Sequence, residues 1–545
     1  MTNIIRLSGF RMSRVKIWLI LFSLPFCVLG CKKTTQPDPV TPGEIEAHIR
    51  FLSDDLLEGR GMGSRGLALA ALYQESIFRG LGLEPAFGES YRQPLTLIGT
   101  NPDQNTNLEI FSGDRTLSLG YLNDFVVTSE RRDNPEGVEG ELIYGGYLIQ
   151  APERTWDDIK DVDLRGKVLL IEVNEPGNIP GGIFDGEDMT YYGRWTYKLE
   201  KASELGAAGA LIIHNTSGAG YGWGAIRNTW ALESFYLPEK DNRLFFQGWI
   251  SEGAAERIFT EAGQNRDALK AGAEKNSFRP ISLGLSARVR QKPVFRTLDT
   301  ENVAAFLRGE HPDHTGRTIC ITAHYDHFGR DESLDGDQIY NGAVDNCAAS
   351  ASMLTLARLY SQKRKNLKVN LMFAGVTAEE EGLLGSDFLA RHLPVSPSSV
   401  LASLNFEMTG VWGETEDVYA IGASHSDLDE FCRRAAEDLG LIYIEERDGE
   451  LGYFFRSDQI SFVRGGIPAV WLHEGITSIG GDPEYIRRKH REYRQSRYHK
   501  VEDEMEEDWD LKGTVQIVRW ADRIIALLAE ADELPQFKSH SAFKR

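Results

Sequence analysis

Apolar residues recur at helical spacing from Ile45 to Leu57 and again through LALAALYQESIFRGLGLEP, with the glycines of EGRGMGSRG between the two runs. The spacing predicts two helices joined by a glycine turn, the second ending at Gly80 to Gly82 before Pro85. From about 90 to 290 the pattern shortens. VEGELIYGGYLI, LRGKVLLIEV and GAAGALIIHN each read as a strand entered through a polar or glycine turn, and WTYKLEKASELGAAG reads as a short amphipathic helix feeding the last of them. From Asn302 onward, apolar strands such as TICITAHYD and LKVNLMFAG alternate with helical runs such as DNCAASASMLTLARLYSQ. That alternation predicts an α/β sheet covered by helices on both faces. The stripe in WDLKGTVQIVRWADRIIALLAEADE predicts a closing helix packed on the sheet.

The first forty residues follow a different pattern. Arg6, Arg11, Arg14 and Lys16 precede a 14-residue apolar stretch from Ile17 to Gly30, shorter than the ~20 residues of a membrane span, so the segment reads as a signal peptide. Val28-Leu29-Gly30-Cys31 resembles a bacterial lipoprotein box, which implies lipid on Cys31. Residues 31–43 are polar and proline-bearing and read as a tether holding the folded body off a membrane. The expected location is the bacterial cell envelope, lipid-anchored and facing the periplasm or exterior, with ordinary secretion as the alternative.

Charge narrows the partners. The chain carries 81 acidic and 60 basic residues, a formal net charge of −21 over 545 residues, which repels nucleic acid and argues against a non-specific nucleic-acid binder. Cys320, Cys347 and Cys432 are the cysteines of the body, too few for a disulfide framework, though one bridge is compatible with an oxidising compartment.

Candidate chemistry gathers at strand ends, where α/β sheets place their ligands. TICITA runs into His324, and Asp326 stands two residues on, able to accept a ring N–H and fix the tautomer. Asp345 lies in the glycine turn NGAVDN, which also suits a simple helix cap. VNLMFAGV leads to Glu379, Glu380 and Glu381, adjacent carboxylates that repel one another unless a cation or proton compensates. VLASLNFEMTG places Glu407 after apolar residues, where an unpaired charge is costly, and His499 follows late in the chain. Two histidines and three carboxylates from separate segments suit a pair of metal ions sharing one carboxylate. Nitrogen and oxygen donors fit zinc, with manganese or cobalt as alternatives.

HIRFLSDDLLEGRGMGSRG, AHYDHFG, NGAVDN, AEEEGLLGS, LNFEMTG, RSDQISFVRGGIPAV and YHKVEDE follow one another in this order. In order and approximate spacing they resemble bacterial zinc aminopeptidases of the M28 family, across roughly residues 44 to 535. LRGKVLLI and KASELGAAGALIIHN resemble a protease-associated domain inserted in such enzymes. The resemblance implies a zinc-exopeptidase fold, a mixed central β-sheet flanked by helices with a β-rich insert. The implied division is a signal peptide over 1–30, a tether over 31–43, peptidase domain over 44–134 and 299–540, and the insert over 135–298. It implies two Zn2+ ions, one held by Asp345, Glu380 and His499, the other by His324, Asp345 and Glu407, with Asp345 bridging. It further implies Glu379 as general base, Asp326 orienting His324, a cis Asp345–Asn346 peptide, and peptide substrates cut from the amino terminus.

Three positions depart from the family pattern. Glu407 replaces a frequent aspartate, Gln459 replaces a frequent histidine and is expected to alter the substrate pocket, and Cys347 replaces a small residue. Tyr498 and Tyr453 are candidate donors to a developing oxyanion, though packing roles suit both. Carboxypeptidase or dipeptidase activity on the same metal frame, cyclisation of N-terminal glutamine, and a non-catalytic surface binding protein are the competing readings.

Overall fold

The computed structural model describes residues 40–133, 137–179, 181–239 and 243–545, so the leader, Cys31, most of the tether and the expected boundary at Pro135 lie outside the described residues. Among the described residues, no helix is long and apolar enough to cross a membrane.

A ten-stranded sheet organises the body. Its centre is four parallel strands in the order Asn370–Val376, Thr318–His324, Val400–Phe406 and Ala469–Glu474. The first three are buried along their whole length. That matches their continuous apolar sequence, because helices cover both faces. Val294–Leu307 and Asp417–Ile421 add antiparallel strands on either side, so the sheet is mixed, as the resemblance implied. The helix Ala349–Ser361 crosses one face with nearly every side chain buried, and Lys512–Ala529 closes that layer through Val515, Val518, Trp520, Ile524 and Ile525. The glycine turn between the first two helices, Pro42–Leu52 and Arg65–Gly80, contains a short 3-10 segment, Asp55–Arg60.

A second, eight-stranded sheet runs Arg115–Leu119, Asn107–Ser112, Ile281–Arg290, Val138–Tyr144, Val168–Glu172, Gly209–Ile213, Phe246–Ile250 and Phe125–Thr128. It begins well before the boundary read near residue 135 and ends before 298. The strands from 107 to 128 alternate exposed and buried positions too irregularly to reveal their partners in sequence. Ser234–Tyr236 leaves this region to pair with Arg92–Asn101, an outer strand of the large sheet. Val294–Leu307 runs through the expected boundary at 298 as one strand, paired from Val294 to Val303 with Arg92–Asn101. A strand from within the second-sheet region of the chain thus joins the large sheet.

Candidate metal centre

Three parallel strands deliver their last residues to one place. His324 ends its strand, Glu379 and Glu380 follow Asn370–Val376 by three and four residues, and Glu407 follows Val400–Phe406 directly. Asp345 arrives from the turn before Ala349–Ser361, and its peptide to Asn346 is cis, as the resemblance implied. His499 comes from the loop after the helix Tyr485–Ser496, with a positive φ of 57°.

The structure brings all six together. His324 Nε2 lies 3.2 Å from Asp345 Oδ1, 3.2 Å from Glu407 Oε1 and 3.9 Å from Glu379 Oε2. His499 Nε2 lies 3.3 Å from Asp345 Oδ2 and 3.5 Å from Glu380 Oε2. Asp345 therefore faces one imidazole with each oxygen. Donor atoms of His324, Glu379 and Glu407, and of His324, Asp345 and Glu380, each fall within 4.8 Å of one another.

Asp326 acts differently from the expectation. His324 Nδ1 meets the backbone oxygen of Asp326 at 3.2 Å, with the carboxylate farther off at 3.7 Å. The carboxylate instead accepts the Glu379 and Glu380 amides at 3.2 and 3.4 Å, so it pins the glutamate turn. Gln459 is buried, donating to Phe454 O and accepting from Asn405. Cys320, Cys347 and Cys432 are buried and free. Tyr498 stacks on the His499 ring at 3.7 Å, and Tyr453 sets its edge on Trp471.

Several supports were not singled out from the sequence. His327 Nδ1 lies 2.5 Å from Glu380 Oε1, leaving its buried Nε2 without a partner. Asp503 accepts the Val344 and Asp345 amides at 3.0 and 3.1 Å and the Tyr493 hydroxyl at 3.0 Å. Ser457 donates to Glu407 Oε2 at 2.8 Å, and the Asn346 amide bridges Phe406 O and Met408 N. The second histidine of AHYDHFG and the acids of YHKVEDE were the available signals for His327 and Asp503.

Arg60 is the least expected of these supports. It is buried and donates to four carbonyls: Tyr325 O at 2.9 Å, Leu52 O and Asn341 O at 2.6 Å, and Gly342 O at 3.3 Å. It ties the His324 loop to the Asp345 turn. Gly59 permits this approach, since a Cβ there would lie 2.3 Å from Gly329 O. Arg60→Ala is expected to destabilise the fold by roughly 3 kcal/mol, because the carbonyls lose a charged donor in a buried place. It should also weaken metal binding, with Arg60→Lys intermediate in both. Urea unfolding and zinc competition titration measure the two effects. Unchanged metal affinity in a destabilised Arg60→Ala protein would limit Arg60 to a folding role.

The electrostatics ask for cations. Burial opposes charge on His324, yet Glu407, Glu379 and Asp345 outweigh it and raise the ring well above its usual range. Burial likewise opposes ionisation of Asp345, but hydrogen bonds from His324 and His499 hold it well below the usual carboxylate range. Burial pushes Glu379 well up, with Glu380, Glu407 and Asp458 adding like charge against the pull of His324. Burial and Asp345 push Glu380 up to about 8. Four carboxylates face the His324 and His499 imidazoles, an excess of negative charge that a cation would offset. A nitrogen and oxygen donor set with this charge fits divalent metal ions.

The fold and the donor cluster define an α/β protein with a candidate metal centre at the carboxyl end of its parallel strands. Residues 302–521 match the model of Peptidase family M28. A "Probable leucine aminopeptidase" of Arthroderma benhamiae is 29% identical over 169 residues, 30% of this chain and 45% of that protein. "Aminopeptidase Y" of Saccharomyces cerevisiae is 25% identical over 185 residues, 33% of this chain and 31% of that protein. The chain thus spans less than half the length of these curated relatives. Among solved structures, an aminopeptidase from Aneurinibacillus sp. strain AM-1 aligns with a TM-score of 0.49 at 21% identity, covering 90% of this chain and 95% of that one.

Proposed function

We propose that the protein is a zinc aminopeptidase that removes residues from the amino terminus of peptides. The observation that carries this reading is the convergence of His324, Asp345, Glu380, Glu407 and His499, with Glu379 beside them as a carboxylate that meets no hydrogen-bond donor among the described residues. Two ions would be held, one by His324, Asp345 and Glu407 and the other by Asp345, Glu380 and His499. When bound, zinc supplies Lewis acidity toward a peptide carbonyl and makes water more acidic.

The remaining steps belong to the chain. Glu379 takes the proton of the attacking water and returns it to the departing amine. Asp326, through the Glu379 and Glu380 amides, sets where that carboxylate stands. Acids in the cage receive the substrate's terminal ammonium. An unblocked leucyl peptide is therefore expected to be cut from its amino end by the zinc-loaded protein, and the same peptide acetylated at that end to resist. Cleavage of the acetylated peptide at its carboxyl end would favour the carboxypeptidase reading and sink this one.

We also propose that lipid on Cys31 anchors the body in the cell envelope, supported by the Val28 to Cys31 sequence. Cys31→Ser should move the protein from the membrane fraction to the soluble one. Retention of that variant in membranes would exclude the lipid anchor.

A further inference from the structure

A cavity of about 230 Å³ lies between the helix Tyr485–Ser496, the loop that follows His499, and Trp412. Among the described residues, none of the six side chains gathered at the metal centre lines it. Its buried wall is Val344, Tyr493 and Asp503, the group that carries Asp345. Asp503 accepts the Val344 and Asp345 amides at 3.0 and 3.1 Å with its two oxygens, and the Tyr493 hydroxyl donates to it at 3.0 Å. A molecule in the cavity therefore stands one hydrogen bond from the Asp345 backbone.

The other walls are aromatic and charged. Trp412 and Trp509 are half-buried, and Trp412 meets the His490 and Tyr493 rings at 5.3 and 5.8 Å. Arg497 is engaged, since it pairs with Glu506 and donates to Glu502 O at 3.0 Å. Lys489, Glu492 and Glu504 have no opposite charge within 4.0 Å among the described residues. A lysine and a glutamate three apart on a helix are ordinarily neighbours, yet Lys489 Nζ sits 6.0 Å from the Tyr485 ring centre instead. One open ammonium beside two open carboxylates repels a bare anion, and a simple amine leaves Lys489 unanswered. A molecule carrying both charges satisfies Lys489 and an acid together, and its apolar part lies against indole. The space equals that of about eight liquid waters, which suits one amino acid and is too small for a peptide of several residues.

We propose that this cavity binds a free amino acid with an apolar side chain, its carboxylate on Lys489, its ammonium on Glu492 and its side chain against Trp412 and Trp509. Such an amino acid is what the aminopeptidase reading releases, so the proposal rests on that reading for the source of the ligand and adds a product site outside the metal centre. Occupancy reaches the centre through Val344 and Asp503, because Asp503 fixes the backbone of Asp345. Filling the cavity holds that turn in place and tightens zinc, and by linkage zinc tightens the amino acid.

The test titrates L-leucine into the zinc-loaded full chain by calorimetry, with leucine hydroxamate first placed on the metal centre. The hydroxamate lacks the carboxylate that Lys489 takes. One equivalent of leucine is expected to bind, roughly 10-fold or more tighter than isocaproate or isoamylamine, each of which lacks one of its charges. Lys489→Met should weaken leucine by roughly 10-fold or more, and Lys489→Arg should keep part of the affinity. With the hydroxamate still in place, leucine should slow zinc loss to a chelator by about 5-fold or more, and Lys489→Met should lose that effect. Absence of leucine binding beside the hydroxamate, equal affinity for either single-charge probe, or unaltered affinity in Lys489→Met would each overturn the proposal and leave aminopeptidase activity standing. Zinc loss indifferent to bound leucine would overturn the link to Asp345. Leucine bound in the cavity without turnover of leucine p-nitroanilide would instead strike the parent reading and leave the site.

Discussion

Glu379→Gln is expected to keep two equivalents of zinc and to lower kcat by roughly 10²- to 10⁴-fold, the range that a positioned proton carrier contributes. Glutamine has the shape of glutamate and cannot take the proton. Geometry separates Glu379 from the other acids of the cluster. Asp345 and Glu407 each approach His324 Nε2 to 3.2 Å, whereas Glu379 stands off at 3.9 Å and is held through its backbone by Asp326. KM should change little, because the terminal ammonium and the rest of the peptide keep their partners. Metal analysis beside steady-state kinetics decides the matter. A Glu379→Gln enzyme as fast as its parent would remove Glu379 from the proton path, and one lacking zinc would make Glu379 a ligand.

Asp345→Ala is expected to abolish both metal binding and turnover. Its two oxygens lie 3.2 Å from His324 Nε2 and 3.3 Å from His499 Nε2, so among the described residues it is the carboxylate that approaches both of these rings. Removing it should weaken metal affinity by more than the roughly 10- to 100-fold that loss of an outer-shell partner costs. The Asp503 carboxylate would still hold the Asp345 amide, so the turn itself should survive. Zinc content after dialysis measures the effect, and circular dichroism confirms the fold. Two equivalents retained in Asp345→Ala would contradict a bridge, and one equivalent would show that the two halves load independently. Asp345→Asn should retain some affinity, since one amide oxygen remains.

The ligand side chains were readable in the sequence because each sits where a local pattern changes. Strands of unbroken apolar residues end abruptly at His324, Glu379 and Glu407, and a charge at that point needs a partner. Asp345 was harder, because a capping aspartate has the same local surroundings. The supports were largely hidden. Arg60 lies 281 residues from Asn341, whose carbonyl it binds, and no local spacing marks such a pair. The assignment of Asp326 missed for a related reason. Two-residue spacing puts its carboxylate near His324, but the backbone turn gives the ring bond to the main-chain oxygen and frees the carboxylate for the glutamate amides.

Strand periodicity, helix stops and the acid-rich strand ends thus determined the α/β class, the core strands and the candidate ligands, because these depend on neighbours a few residues apart. Only the tertiary structure decided which sheet the strands of 107–128 join, how Ser234–Tyr236 crosses to the other sheet, and that Arg60 reaches the Asn341 carbonyl. Those choices rest on contacts between segments tens to hundreds of residues apart. Burial and pairing energies set them, and neither is encoded in any short window of the chain.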